Sequence, residues 1–423
     1  MISPRFPASP LINLLRHDPI VITGMGAVSA AGHGVAPLWA AVMERRATAD
    51  WVELALPGGG GERRAGCAVA ALDWSGHAWR GMARRMDAGV QYALHATHQA
   101  AENASLFSNP VPPARLGVIC GTSRGPKQKW EEAWQLMQAG RRMKPTLAAT
   151  TTLAAGTGAL AQVLGAQGPS WMVSTACASG ASAIAAAAEQ ILLGHADVMF
   201  AGGADEAMHA LVYAGLESAG VLAGGESDPA SRCRPFGEGR MGLVPGSGAG
   251  MLVLESLSSA LRRGVAPLAS LSGWGLGMDA AGLAGMNPEG TGLQRTMRAA
   301  LTMAGLGPGD INYLNAHGTG TMTNDAAEAS AIAAVFGPAT SPVSSSKSIT
   351  GHCLGATPAM EAILCLEALR LGTLPPAFPD TRIDPRCASL TFSKGGPARL
   401  THTLSNSAAF WGFHASLIFS RWE

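Results

Sequence analysis

The stretch Trp171-Met-Val-Ser-Thr-Ala-Cys-Ala-Ser-Gly180 changes character at its cysteine. An apolar run that reads as a buried strand gives way at Cys177 to small residues that open a helix. Residues 178–193 are almost all Ala, Ser, Ile and Leu, apolar on every side, which predicts a buried helix. A thiol at the first turn of such a helix meets the positive end of the helix dipole and free N–H groups. These lower the thiol pKa and supply donors for an oxyanion. A cysteine taken at random is a small core residue. The strand-to-helix elbow makes this one a candidate nucleophile.

Outward from the elbow, strand-like and helical runs alternate. Residues 19–24, 116–121, 197–203 and 250–255 read as buried strands, the last leading into a helix over 256–263. After residues 268–273 the grammar restarts. Helices are expected over 292–304, 325–336 and 358–371, with strands over 311–316, ending near Ser346, and near 400–406 and 414–420. Such alternation predicts an α/β protein with parallel-rich sheets covered by helices. The expected organisation is an extension over 1–18, an N-terminal half over 19–267 and a C-terminal half over 268–423.

Composition narrows the class. Hydrophobic residues make up 47% of the 423, charged residues only 14%, which suits a large, well-buried enzyme rather than a disordered chain. The net charge of +1 gives no global field for nucleic acid or membrane, and neither is an expected partner. Seven scattered cysteines without a C-x-x-C pair imply reduced thiols, a cytoplasmic location and no metal site. Neither a secretory leader within residues 1–18 nor a long uncharged apolar span is visible, so the protein is expected to be soluble.

The second half contains partners for a thiol. His317 lies in Asn315-Ala-His-Gly-Thr-Gly-Thr321 and His352 in Ser346-Lys-Ser-Ile-Thr-Gly-His352. Both sit in Gly-flanked turns at the carboxyl ends of expected strands, where open α/β sheets collect ligands. The other nine histidines, His414 among them, read as structural or exposed.

These blocks carry a family resemblance. Val173-Ser-Thr-Ala-Cys-Ala-Ser-Gly180, the His317 block continuing to Asn324-Asp325, and the His352 block followed by Gly355 and Glu361 resemble the active-site blocks of elongating β-ketoacyl-acyl-carrier-protein synthases. The likeness runs from about Pro19 to Arg421. It implies a thiolase-like fold, with two similar βαβαβαββ halves in a five-layer α/β/α/β/α sandwich, usually dimeric. It also implies decarboxylative Claisen condensation of an acyl thioester with malonyl-acyl carrier protein. Cys177 would then carry the acyl group, while His317 and His352 donate hydrogen bonds to the developing enolate. The backbone N–H groups of Cys177 and Ala408 would form the hole for the acyl-transfer intermediate. Lys347 would support His352 beside Glu361, Asp325 would brace the His317 loop, and Thr319 and Thr321 would bind pantetheine. The implied partners are acyl carrier protein and either an identical subunit or a related ketosynthase-like one. No cofactor is implied beyond the carrier's phosphopantetheine.

Departures from the pattern concern the substrate. The closing loop reads Asn406-Ser-Ala-Ala-Phe-Trp-Gly-Phe-His414, with Ala408 in place of a gating Phe and Trp411 in place of a Gly. Arg124, in Gly121-Thr-Ser-Arg-Gly125, falls near where the family carries an apolar residue lining the acyl pocket at the dimer contact. The expectation is an acyl pocket reshaped by Arg124, Phe410, Trp411 and Phe413, and an acyl group other than a long saturated chain. A specialised fatty-acid or type II polyketide-like pathway fits these changes. The alternatives are an acyltransferase or thioester hydrolase on the same fold, or a chain-length partner subunit. Arg124 is expected to pair with a carboxylate across a dimer or to meet a polar or acidic acyl terminus.

Overall fold

The apolar runs assemble into one mixed eleven-stranded sheet. The computed structural model describes residues 10–422 apart from 57–58, 226, 281, 283–285, 338–339 and 378–381. Ten strands are β1 (Ile20–Ser29), β2 (Leu116–Gly121), β3 (Ser170–Val173), β4 (Val198–Asp205), β5 (Gly248–Ser256), β6 (Ala269–Met278), β7 (Tyr313–Asn315), β8 (Val343–Ser344), β9 (His402–Ala408) and β10 (Phe413–Arg421). A short strand, Gly32–His33, folds back on β1. The order across the sheet is β8-β7-β9-β10-β6-β1-β5-β4-β2-β3.

The sheet is less parallel than the alternation suggests. β2 is parallel to β3 and β4, and β7 to β8 and β9, but every pairing across the middle is antiparallel. The reason is local in one case: β9 and β10 are joined by residues 409–412 alone, too few for the crossover that parallel neighbours need.

The main helices are α1 (Ala88–Asn103), α2 (Lys127–Gln138), α3 (Ser179–Leu192), α4 (Ala210–Ser218), α5 (Thr291–Ala304), α6 (Met322–Phe336) and α7 (Thr357–Leu371). α3 and α7 form the inner layer: α3 packs on β2 and β4 and reaches β10, while α7 packs on β5 and β9. α1 covers the far face of β1, β4 and β5, and α5 covers β6 and β10. The five layers expected from the resemblance are therefore present. Residues 357–369 of α7 are all buried, and the largest core cluster is centred on α3 and α7. Their all-round apolar sequences are what an inner layer requires.

The two half-sheets are fastened edge to edge only by Val21 against Ser270 and Ile22 against Ala269. At the opposite edge, β3 has β2 as its single neighbour. Trp171 on β3, Trp130, Trp134 and Met137 on α2, and nearby Leu153 are exposed. Among the described residues, no helix is long and apolar enough to cross a membrane.

Candidate active site

β3 delivers the chain to Cys177, and α3 begins two residues later. Between them Ala176 adopts φ 49, a left-handed conformation that non-glycine residues adopt at a cost of about 1–2 kcal/mol. Ser179 holds the elbow: its Oγ accepts from Thr175 N at 3.0 Å and donates to Ala176 O at 2.6 Å. Cys177 is thereby placed just ahead of the helix, 8% exposed, on the wall of a cavity. Its thiol does not follow the expected downward shift. Burial pushes it up to about 12, against an opposing pull from Arg124 and Lys347. Desolvation of the thiolate outweighs the positive surroundings.

His317 and His352 line the same cavity, with ring centroids 5.3 Å apart and planes at 82°. Each follows a strand of the second half, β7 for His317 and β8 for His352. His317 is fixed through its backbone: its N–H and that of Gly318 donate to the two oxygens of Glu328 at 2.7 and 2.8 Å. Its Nδ1 has no hydrogen-bond partner among the described residues. His352 has Thr357 Oγ1 3.2 Å from Nδ1. When that hydroxyl donates, Nε2 carries the ring proton. Burial, reinforced by Lys347, holds both imidazoles well below the usual histidine range. Both are neutral, and a neutral imidazole can donate one N–H without bringing a charge.

Lys347 is fully buried behind the cavity. Its Nζ donates to His317 O and to Glu361 Oε1, the latter at 2.7 Å. It touches the His317 backbone and α7, so it links the two histidine segments. Asp325 accepts from Thr319 N at 3.1 Å and Gly320 N at 3.2 Å, which braces the His317 loop. Thr319 and Thr321 line the cavity, but Thr321 Oγ1 also accepts from Asn324 N at 3.4 Å and caps α6. That cap starts α6 at Met322, earlier than the sequence periodicity suggests. Ala408, Phe410 and Arg124 line the cavity as well.

Trp411 and Phe413 do not lie where expected. Trp411 is 52% exposed and takes φ 66, so the glycine-like backbone turn is kept and the indole swings into solvent. Phe413 packs against the main core. Among the described residues, neither lines the cavity.

Several supporting groups leave no mark in the sequence. Asp205, at the end of β4, accepts from Thr122 Oγ1, Ser123 N, Arg124 N and Gly355 N at 2.7–3.1 Å. It ties the Arg124 loop to the turn that follows His352. Glu328 is pushed up to about 7 by burial. Arg240, also buried, pairs with Asp384 at 2.5 Å and lies 3.4 Å from Asp325. His414 bonds Asp279 at 2.9 Å beside the closing loop. Among the described residues, no group of three or more His, Cys, Asp or Glu is arranged to hold a metal ion.

A thiol at a helix start and two uncharged imidazoles on one cavity wall suit acyl transfer followed by enolate stabilisation. The family models "Beta-ketoacyl synthase, N-terminal domain" and "Beta-ketoacyl synthase, C-terminal domain" match residues 17–260 and 268–379. The chain belongs to the β-ketoacyl synthase family. As a member, it is 36% identical over 409 residues to 3-oxoacyl-[acyl-carrier-protein] synthase 2 of Staphylococcus aureus, covering 96% of this chain and 98% of that one. The enzyme of the same name from Synechocystis is 33% identical over 410 residues, 96% and 98% of the two chains. Among solved structures, the synthase fold superposes on the ishigamide ketosynthase/chain length factor with a TM-score of 0.86 at 30% identity, covering 96% of this chain and 100% of that one. A β-ketoacyl synthase from Burkholderia phymatum gives 0.85 at 29%, with 96% and 100% coverage. A type II polyketide ketosynthase in complex with its acyl-carrier protein gives 0.85 at 26%, with the same coverage.

Proposed function

We propose that this β-ketoacyl synthase condenses an acyl thioester with malonyl-acyl carrier protein, losing CO2. The observation that carries the reading is the meeting of Cys177 with two neutral imidazoles on one cavity. In the first half-reaction Cys177 Sγ attacks the acyl carbonyl. The bond to the pantetheine sulfur breaks, and the thiol proton leaves with that sulfur, so the net charge of the cavity is unchanged. In the second, the bond between the malonyl methylene and its carboxylate breaks, and the electron pair moves onto the thioester oxygen as an enolate. His317 and His352 donate N–H to that oxygen, where charge develops as the bond to CO2 breaks. The enolate carbon attacks the acyl carbonyl, the C–S bond to Cys177 breaks, and the released thiolate takes a proton from solvent water.

The N–H groups of Cys177 and Ala408 are assigned to the tetrahedral oxyanion, and Thr319 and Thr321 to the pantetheine arm. Lys347 acts through the histidines: burial keeps both rings neutral, and its fixed charge adds to that by disfavouring imidazolium. The halves over 19–267 and 268–423, after the extension over 1–18, supply the nucleophile and the two donors respectively. Acyl carrier protein is the donor of both substrates. The exposed apolar face around α2 and β3 supports a second subunit, identical or ketosynthase-like. The altered closing loop at Ala408 and the cation of Arg124 in its own loop favour a specialised fatty-acid or polyketide-like pathway. Seven free cysteines support a cytoplasmic enzyme.

Intact-mass detection of acyl groups on Cys177, followed by addition of malonyl-carrier protein, tests the reading. Cys177→Ala is expected to abolish acylation. His317→Ala and His352→Ala are expected to retain acylation and lose condensation by at least about a hundredfold. Undiminished condensation in either histidine variant sinks the two-donor assignment.

A further inference from the structure

We propose that Arg124 determines specificity in this cavity by selecting an acyl group that ends in a carboxylate. The proposal rests on the condensing-enzyme reading above. Among the described residues lining the cavity, Arg124 alone carries a permanent charge; the walls are otherwise a thiol, neutral imidazoles, small polar groups and apolar side chains such as Leu216, Val221 and Leu243. Its loop is fixed, because Arg124 N donates to Asp205 Oδ1 at 3.1 Å and Gly125 N to Thr122 Oγ1 at 3.1 Å. Arg124 is an exposed residue, and its guanidinium has no ion pair or side-chain hydrogen bond among the described residues. Its charge nevertheless acts on both Cys177 and His352. The cation thus stands within electrostatic reach of the atom to which the acyl group is attached.

A guanidinium is a bidentate partner for a carboxylate. Two carboxylates enter such a cavity, the one on the malonyl unit and the one at the far end of a dicarboxylic acyl group. Gripping the malonyl carboxylate would stabilise the ground state and be lost as CO2 departs, which raises the barrier. An acyl-terminal carboxylate keeps its charge through both half-reactions, so its contact survives into the transition state and orients the chain. The apolar walls accommodate the intervening methylenes.

Matched pantetheine thioesters of one chain length, adipoyl and hexanoyl, separate the possibilities when the rate of Cys177 acylation is followed by intact mass. The wild-type protein is expected to prefer adipoyl by about tenfold, a preference that weakens with salt. Arg124→Leu is expected to erase or invert it, and Arg124→Lys to retain part. An adipoyl-to-hexanoyl ratio unchanged by Arg124→Leu overturns the proposal. So does a wild-type protein that prefers hexanoyl, the result expected if a second subunit's carboxylate already neutralises the cation. An Arg124→Leu variant impaired only in KM for malonyl-carrier protein overturns it in favour of the extender unit. If neither thioester acylates Cys177, the condensing-enzyme reading beneath it fails instead.

Discussion

At Cys177 burial and position act in opposite directions. The helix start and the cations of Arg124 and Lys347 favour a thiolate, yet desolvation leaves the thiol raised to about 12. At pH 7 only about one molecule in 10⁵ then holds the thiolate, and the fraction grows tenfold per pH unit. Carboxamidomethylation of Cys177, followed by peptide mass mapping, is therefore expected to accelerate about tenfold per unit from pH 6.5 to 9. A plateau below pH 8 would mean that the helix terminus prevails over burial. In the proposed mechanism the positive end of α3 then serves mainly the oxyanion formed during acyl transfer, not the resting sulfur. Trp411 makes a comparable point about backbone. A bulky residue at φ 66 is strained, and the loop retains the turn while the side chain stays in solvent.

The elements that bring the site together are α3, α7 and the turns after β7 and β8. The Lys347–Glu361 pair stitches the His352 turn to α7, and Lys347 also holds His317 O. Removing one charge leaves the other buried and unpaired, which costs about 3–5 kcal/mol, whereas removing both is often neutral. Lys347→Met is expected to lower unfolding free energy by that amount in urea titrations. Lys347→Met combined with Glu361→Met is expected to regain most of it while condensation stays impaired, since the tie from Lys347 to the His317 backbone is still missing. A double variant as unstable as the single one would show that packing, not charge, holds the turn.

α3 and α7 are legible because an inner-layer helix needs an apolar sequence on every side, and theirs is. The candidate nucleophile is legible from its strand-to-helix elbow, and the two candidate histidines because Gly-flanked turns at strand ends have few structural uses. Glu328 and Asp205 are not, because a lone acid on a helix or strand acquires meaning only once folding places backbone N–H groups around it. The solvent-facing path of Trp411 is hidden for a related reason: the direction of its side chain follows from a φ that residue type alone would disfavour.

Across the whole molecule, the buried neutral histidines tie stability to pH. Unfolded, each titrates near 6.5; folded, His317 and His352 are held well below that. Below pH 6.5 the unfolded chain binds more protons, so their contribution is complete above that pH and is lost as pH falls. Each is expected to cost about 1 kcal/mol over the first pH unit below 6.5, and about 1.4 kcal/mol per unit further down. Replacing both by Asn should therefore flatten the decline between pH 6.5 and 5.5 by about 2 kcal/mol relative to the parent, measured by urea unfolding. An equal decline in both proteins would show that other groups govern acid sensitivity.

The seam between the half-sheets has a consequence of another kind. The thiol comes from one side of it and both imidazoles from the other, and bare glycine backbones close the gap: a Cβ on Gly203 would meet Gly355 O at 2.3 Å. In the proposed mechanism neither half, however well folded alone, holds a working site. Any lineage that drifts in one half must be matched by the other to stay active, so selection for the reaction is at the same time selection for how two surfaces fit, and the halves are bound to evolve as a couple.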